Sequence, residues 1–189
     1  MAYICAGMIT KRSMADLNRL NKDEFKSSDK TPVAIVLDNV RSALNVGSVF
    51  RTADAFRIKE ILLLGITATP PNRDIQKTAL GATDTIKWTY MHNIDEAISY
   101  LKTEKYQLIG IEQVNGSIAL QNFHTEFSKP LALFFGNEVS GLSENLLPHL
   151  DFCIEIPQIG MKHSLNIAVS AGILCWDLFT KFYYHSKEI

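Results

Sequence analysis

Three polar clusters, spread over most of the chain, carry the residue types that could do chemistry. The first is Asn45-Val46-Gly47, with Arg51 six residues after the asparagine. The second is Gly136-Asn137-Glu138-Val139-Ser140-Gly141, and the third is Ser164-Leu165-Asn166, preceded by Lys162 and His163. Together they offer carboxamides, a carboxylate, a hydroxyl and a guanidinium, the groups that position a polar substrate and stabilise developing charge on it. Helical geometry sets Arg51 about one and two-thirds turns past Asn45, so the two are not stacked on one face. Arg51 is flanked by apolar positions, which makes it the odd residue of its segment. Taken alone it reads as a surface or salt-bridged arginine. Asn and Ser also cap helices, so each cluster by itself is a weak signal.

Their placement adds weight. Each cluster follows an apolar run of strand length, Val33–Leu37, Leu131–Phe135 or Phe152–Ile156. Such runs suit strands buried on both faces of a parallel sheet, and open α/β sheets bind their ligands at the carboxyl ends of those strands. The stretch from Leu131 to Leu178, with the loop Pro157–Asn166 inside it, is therefore the expected centre of the site.

The remaining elements fit the same scheme. Glu60–Gly65, Ile86–Met91 and Gln107–Glu112 read as further strands. Val46, Val49, Phe50, Ala53 and Phe56 fall at helical spacing, with Asn45 placed to cap that helix and Gly47 allowing close backbone approach. Ile75–Leu80 predicts a short helix, and Asn93 caps one carrying Ile94, Ala97, Ile98 and Leu101. Ser117–Asn122 reads as irregular. A final helix runs roughly from Leu165 to Tyr183, with Ile167, Ala171, Leu174 and Leu178 on one stripe and Ile173 and Trp176 beside it. That apolar surface is wide for a terminal helix and predicts a dimer interface. The alternation calls for an α/β fold, a mostly parallel sheet flanked by helices. Residues 1–31 read as a short N-terminal extension, with a helix from Ser13 through Leu17 and Leu20 and a polar linker over Asn21–Thr31. Residues 32–189 form the main domain.

Composition narrows the function classes. At 189 residues, 47% hydrophobic and 21% charged, the chain suits one globular domain. No apolar run reaches the roughly 18 residues that span a bilayer, and no basic region leads into an apolar core at the N-terminus. Cys5, Cys153 and Cys175 are odd in number and lack CxxC spacing, so buried free thiols in the cytoplasm are expected, with neither disulfides nor zinc. The net charge of −1 and pI near 6.5 give no global attraction to nucleic acid, so any such partner needs a local patch. GxGxxG, the P-loop and GxSxG are all absent, and the five histidines show no metal-ligand spacing.

In this order, each at a strand end, the three clusters resemble the motifs of the SpoU (TrmH) class of RNA 2′-O-ribose methyltransferases, within the SPOUT superfamily. Asn45-Val46-Gly47 with Arg51 matches the first motif, and Gly136, Glu138 and Gly141 match the second. Ile156-Pro157, Gly160 and Ser164-Leu165-Asn166 match the third. The resemblance covers about residues 32–180. Ala43 stands where a proline is common, and Gln158 where a methionine is; neither departure touches a polar motif residue.

The resemblance implies a C-terminal deep trefoil knot, an exception to the rule that chains avoid knots. It implies S-adenosyl-L-methionine in the knot loops, held by Phe135, Gly136, Asn137, Gly141, Ile156, Pro157, Met161, Ser164 and Leu165. It also implies methyl transfer to a ribose 2′-hydroxyl of tRNA or rRNA, served by Arg51, Asn45, Glu138, Ser164 and Asn166, with no metal. It further implies a homodimer in which the partner's first-motif arginine completes each site. RNA would be gripped at Arg41, Arg51, Lys162 and His163, with Lys11 and Arg12 as further candidates. A catalytically silent RNA-binding relative and another α/β nucleotide-binding enzyme are the competing classes.

Overall fold

The structure, a computed structural model, describes residues 10–13, 15–17 and 19–185. Among these residues seven parallel strands form one sheet, β1 (Thr31–Asp38), β2 (Ile58–Leu64), β3 (Trp88–Met91), β4 (Gln107–Ile111), β5 (Ile118–Ala119), β6 (Leu131–Phe135) and β7 (Phe152–Glu155). Their spatial order is β3-β2-β1-β6-β4-β7-β5. Among the described residues five α-helices accompany them, α1 (Lys22–Ser27), α2 (Ala43–Ala55), α3 (Arg73–Ala79), α4 (Ile94–Thr103) and α5 (Ile167–His185). This is the expected α/β architecture.

Strand β1 shows why its sequence is a continuous apolar run. It sits mid-sheet, and its alternate side chains enter two different cores. Val33, Ile35 and Leu37 pack with Val46, Val49 and Phe50 of α2, Ile75 of α3 and Leu174 and Leu178 of α5. Ala34 and Val36 face the other way, toward Ala97, Ile98 and Leu101 of α4. Register then aligns the strand ends: Leu37 pairs with Leu63 on one side and Phe135 on the other. The carboxyl ends of β1, β6, β4 and β7 thus open onto one edge.

Helix α5 follows β7 in sequence yet packs on α2 and β1, on the far side of β4 and β6. Residues 156–166 make that return, and they carry the third cluster back toward the first. Gly47 permits the contact of α2 with α3. A Cβ there would lie 2.2 Å from Thr78 Oγ1 and 2.3 Å from the Ile75 carbonyl oxygen.

Several local expectations change. Asn21–Thr31 is not a linker: Asn21 and Glu24 form a reciprocal capping box on α1, which buries Phe25 in the core. Of the helix expected from Ser13 through Leu17 and Leu20, the described residues form a 3₁₀ turn, Ala15–Leu17, and Ser13 and Asp16 bond to each other as in a capping box; Met14 and Asn18 lie outside the described residues. Ser42, not Asn45, caps α2, its side chain accepting from the Asn45 N–H at 3.3 Å. The segment expected to be irregular holds β5 and a 3₁₀ turn, Leu120–Asn122. Cys153 and Cys175 are buried free thiols, and burial pushes the Cys175 thiol up to about 12; Cys5 lies outside the described residues. Among those residues no helix is long and apolar enough to cross a membrane, and no group of acidic, His and Cys side chains could hold a metal.

Candidate active site

A cleft of about 690 Å³ opens beyond the carboxyl ends of β4, β6 and β7. Its walls are the Gly136–Gly141 loop and the return segment, from Ile156 through Asn166. The first wall is closed on itself. Asn137 and Gly141 exchange both backbone hydrogen bonds at 2.9 Å, and Asn137 Oδ1 accepts from the Val139 N–H at 2.8 Å. Both glycines follow from that geometry: a Cβ on Gly136 would sit 2.1 Å from the Gly141 carbonyl carbon, and Gly141 has φ of 68°.

Glu138 joins this loop to the first cluster. Its carboxylate accepts from the backbone N–H of Arg41 at 3.0 Å and of Ser42 at 3.1 Å, and from Asn45 Nδ2 at 3.3 Å. Burial works against its charge. The N–H groups of Arg41, Glu138 itself and Ser42, with the Asn45 carboxamide, outweigh that and hold the carboxyl below its ordinary range. Asn45 Oδ1 then accepts from Asn166 Nδ2 at 3.1 Å, while Asn166 Oδ1 takes the Ala168 N–H at 2.8 Å, at the start of α5. One hydrogen-bonded chain, Glu138–Asn45–Asn166, ties all three clusters together.

Behind it, buried Asp38 accepts from the Ser143 hydroxyl at 2.6 Å and from Asn39 Nδ2 at 2.7 Å. Asn137 Nδ2 donates to the Asn39 carbonyl at 2.9 Å. The loop between β1 and α2 is thereby fixed on the second cluster's loop.

Of the residues expected to hold a cofactor, Phe135, Gly136, Asn137, Gly141, Ile156, Ser164 and Leu165 line the cleft. Pro157 and Met161 are exposed and lie outside the lining; Gln158 and His163 are part of it. Glu138 and Asn166 line it, and Asn45 is bonded to both. Arg51 is exposed on α2, outside the lining, with no hydrogen bond or ion pair among the described residues. Arg41 and Lys162 are exposed near the rim-forming loops. The clusters missed Glu112 and Gln113, which follow β4. Glu112 accepts from the Leu142 N–H at 3.2 Å, and Gln113 Nε2 donates to the His163 carbonyl at 3.2 Å, bridging the floor to the return segment. Their signal was positional: a polar pair directly after a buried strand.

The cleft's charge limits what it can hold. Glu112, Glu138 and Glu155 line it, whereas no lysine or arginine does among the described residues. A phosphate-rich cofactor would find no cationic partner there. A cationic ligand with an apolar body suits it, since Ile111, Ile154, Ile156 and Leu165 supply the apolar walls.

An all-parallel sheet with a ligand cleft at its carboxyl edge, closed by a returning C-terminal segment, defines an α/β protein of the ligand-binding, enzyme-like class. More narrowly, the chain belongs to the SpoU rRNA Methylase family, whose model matches residues 32–176. A Staphylococcus saprophyticus protein assigned to the TrmH family of tRNA/rRNA methyltransferases is 28% identical over 159 residues, 84% of this chain and 63% of that one. The crystal structure of an AdoMet-bound rRNA methyltransferase from Sinorhizobium meliloti superposes with a TM-score of 0.73 at 28% identity, covering 83% of this chain and 58% of that one. The A. aeolicus TrmH/SpoU tRNA modifying enzyme has the same fold, with a TM-score of 0.75 at 21% identity over 87% of this chain and 82% of that one. The chain thus spans less than two thirds of the length of the first two relatives.

Proposed function

We propose that this protein transfers a methyl group from S-adenosyl-L-methionine to a ribose 2′-hydroxyl of tRNA or rRNA, in the cytoplasm, as a homodimer. Residues 32–189 would be the catalytic domain and 1–31 a short extension, and the return segment would be threaded as the trefoil knot. The observation that carries this is the Glu138–Asn45–Asn166 chain at the rim of an anionic, apolar-walled cleft.

The residues present fit the cofactor. The apolar walls suit its adenine ring and the methylenes of its methionine arm, and the carboxylates of Glu112 and Glu155 suit its ammonium and sulfonium charges. When bound, it supplies an electrophilic methyl group on a sulfonium sulfur. The chain's own task is to present the nucleophile. Asn45 and Asn166 fix the ribose at the rim, and Ser164 adds a hydroxyl beside them. A guanidinium holds its proton firmly, so Arg51 does not serve as a base and the hydroxyl proton passes to solvent. Arg51 clamps the adjacent phosphate and stabilises charge developing on the attacking oxygen. Because Arg51 stands outside its own chain's cleft, it acts in the partner's site. Arg41, Lys162 and His163 add local grip on the RNA.

Calorimetric titration with S-adenosylmethionine and S-adenosylhomocysteine is the first test, with micromolar binding expected. Incubation with methyl-labelled cofactor and bulk tRNA or rRNA should then yield label in 2′-O-methyl nucleosides after digestion. Arg51→Lys should abolish transfer and leave cofactor affinity nearly intact. Loss of cofactor binding in that variant would overturn the clamp, and binding of ATP or NAD in place of the sulfonium compound would overturn the reading as a whole.

A further inference from the structure

The carboxyl edge of the sheet carries a second hollow, which methyl transfer as described leaves unused. It encloses about 220 Å³ beyond β1, β2 and β3. Only one layer of residues separates it from the cofactor cleft: Asn39 lines the hollow, Asn137 lines the cleft, and the two are joined by the 2.9 Å hydrogen bond from Asn137 Nδ2 to the Asn39 carbonyl. Exposed Arg41 stands on the same loop.

The hollow has a fixed frame and free polar ends. Asn39, at φ 55°, accepts from the Ile66 N–H at 3.1 Å and donates to Asp38, and Asp38 in turn holds Ser143. On the far side stands the His92 imidazole, with the Tyr90 ring edge-on behind it at 5.1 Å between centroids and 85° between planes. The Tyr90 hydroxyl donates to the Gly65 carbonyl at 3.0 Å, which braces that pair against the hollow's wall. His92 and Asn145 line the hollow and are exposed, and their side chains have no hydrogen-bond partner among the described residues.

Sites for whole small-molecule ligands run to roughly 300–1,000 Å³, so this one is too small for a nucleotide or a cofactor and suits a single planar ring system. Sequence-selective RNA proteins take unpaired bases in that way, stacking each on an aromatic side chain and hydrogen-bonding its edge. We propose that the hollow is a nucleobase subsite, which takes the base of an unpaired RNA nucleotide at or beside the methylated one. The base stacks on His92, and the Asn145 carboxamide reads its edge. The assignment rests on the RNA-methyltransferase reading, and a ring held beside the cleft would select which nucleotide presents its ribose.

The test has a binding arm that needs no catalysis. The full chain, saturated with S-adenosylhomocysteine, is titrated in turn with AMP, GMP, CMP and UMP, and then with unstructured RNA oligonucleotides. Histidine ring signals are followed by NMR, and His92→Ala identifies the His92 signal. The expected result is an upfield shift of that signal with at least one mononucleotide, and the same shift at far lower concentrations of RNA. No shift with any of them would overturn the subsite, and a mononucleotide that shifts His92 but is not displaced by RNA would overturn its assignment to RNA. In the activity arm, His92→Ala and Asn145→Ala should each raise KM for RNA about tenfold, the scale of one lost stacked base, with cofactor affinity unchanged. His92→Phe, which keeps the stacking face, should restore most of it. Unchanged KM in both alanine variants would also overturn the subsite. If the wild-type protein binds cofactor and methylates no RNA, the functional reading fails, while the NMR arm still decides the subsite.

Discussion

Glu138 works on the protein as much as on any ligand. Its two oxygens satisfy the N–H groups of Arg41 and Ser42 and take the Asn45 carboxamide, so one carboxylate sets where the rim asparagine points. Glu138→Gln keeps the shape and removes the charge that makes these bonds strong. The side chain is solvent-exposed, so the stability cost is screened and should be only ~0.5–1 kcal/mol in urea denaturation. On the proposed reading methyl transfer relies on the register of Asn45, and it should fall roughly tenfold or more. The pH dependence has a definite sign. The folded-state carboxyl lies below its unfolded value, so its stabilisation is fully present above the unfolded carboxylate range and is lost as pH falls through the folded one. Glu138→Gln should therefore be less sensitive to acid than wild type over that window, and equal sensitivity would refute the assignment.

At the scale of elements, a buried carboxylate fastens β2 to its neighbours. The Glu60 side chain is 1% exposed and accepts from the Tyr106 hydroxyl at 2.7 Å and the Tyr100 hydroxyl at 3.0 Å, and pairs with Lys87 at 2.8 Å. Burial raises its pKa, but the bonds from Lys87, Tyr106 and Tyr100 outweigh it and leave the carboxyl below its ordinary range. Glu60→Ala strands the buried Tyr106 hydroxyl and should cost about 2–3 kcal/mol at pH 7, with the difference from wild type shrinking in acid as wild-type Glu60 is protonated. Denaturation at pH 7 and in the acid range would show both effects. Nothing in the sequence exposed this cluster, because Glu60, Lys87, Tyr100 and Tyr106 are spread along the chain and follow no spacing. The strands, by contrast, were legible: β1 and β6 read as unbroken apolar runs because both their faces are covered. Helix α1 was hidden by polar composition, although Asn21 and Glu24 spelled a capping box and Phe25 supplied the anchor. The loop ends of β6 and β7 were legible through Gly136, Glu138 and Asn166. Glu112 and Gln113 were not, since only the fold brings the end of β4 to the same cleft.

At the scale of the whole molecule, Arg51 poses the question of which cleft it serves. It is exposed, unpaired among the described residues and absent from its own cleft, and it lies on α2, against which α5 packs. On α5, Val169 is 51% and Trp176 56% exposed, and Trp176 meets Phe56 and Phe179 in an aromatic group that one chain leaves half-covered. A two-fold contact through these helices would bury that surface and place one chain's Arg51 beside the other chain's rim. Arg51→Ala and Asn166→Ala should each be inactive as homodimers. When they are mixed, unfolded and refolded together, half the dimers are mixed, and each of those has one site combining an intact cleft with an intact arginine. Activity should return to about a quarter of wild type. If each arginine served its own chain's cleft, every site in the mixture would lack one essential group and activity would stay at the level of the single variants. Trp176→Glu should separate the chains in sedimentation and abolish transfer, while each monomer keeps its own cofactor cleft.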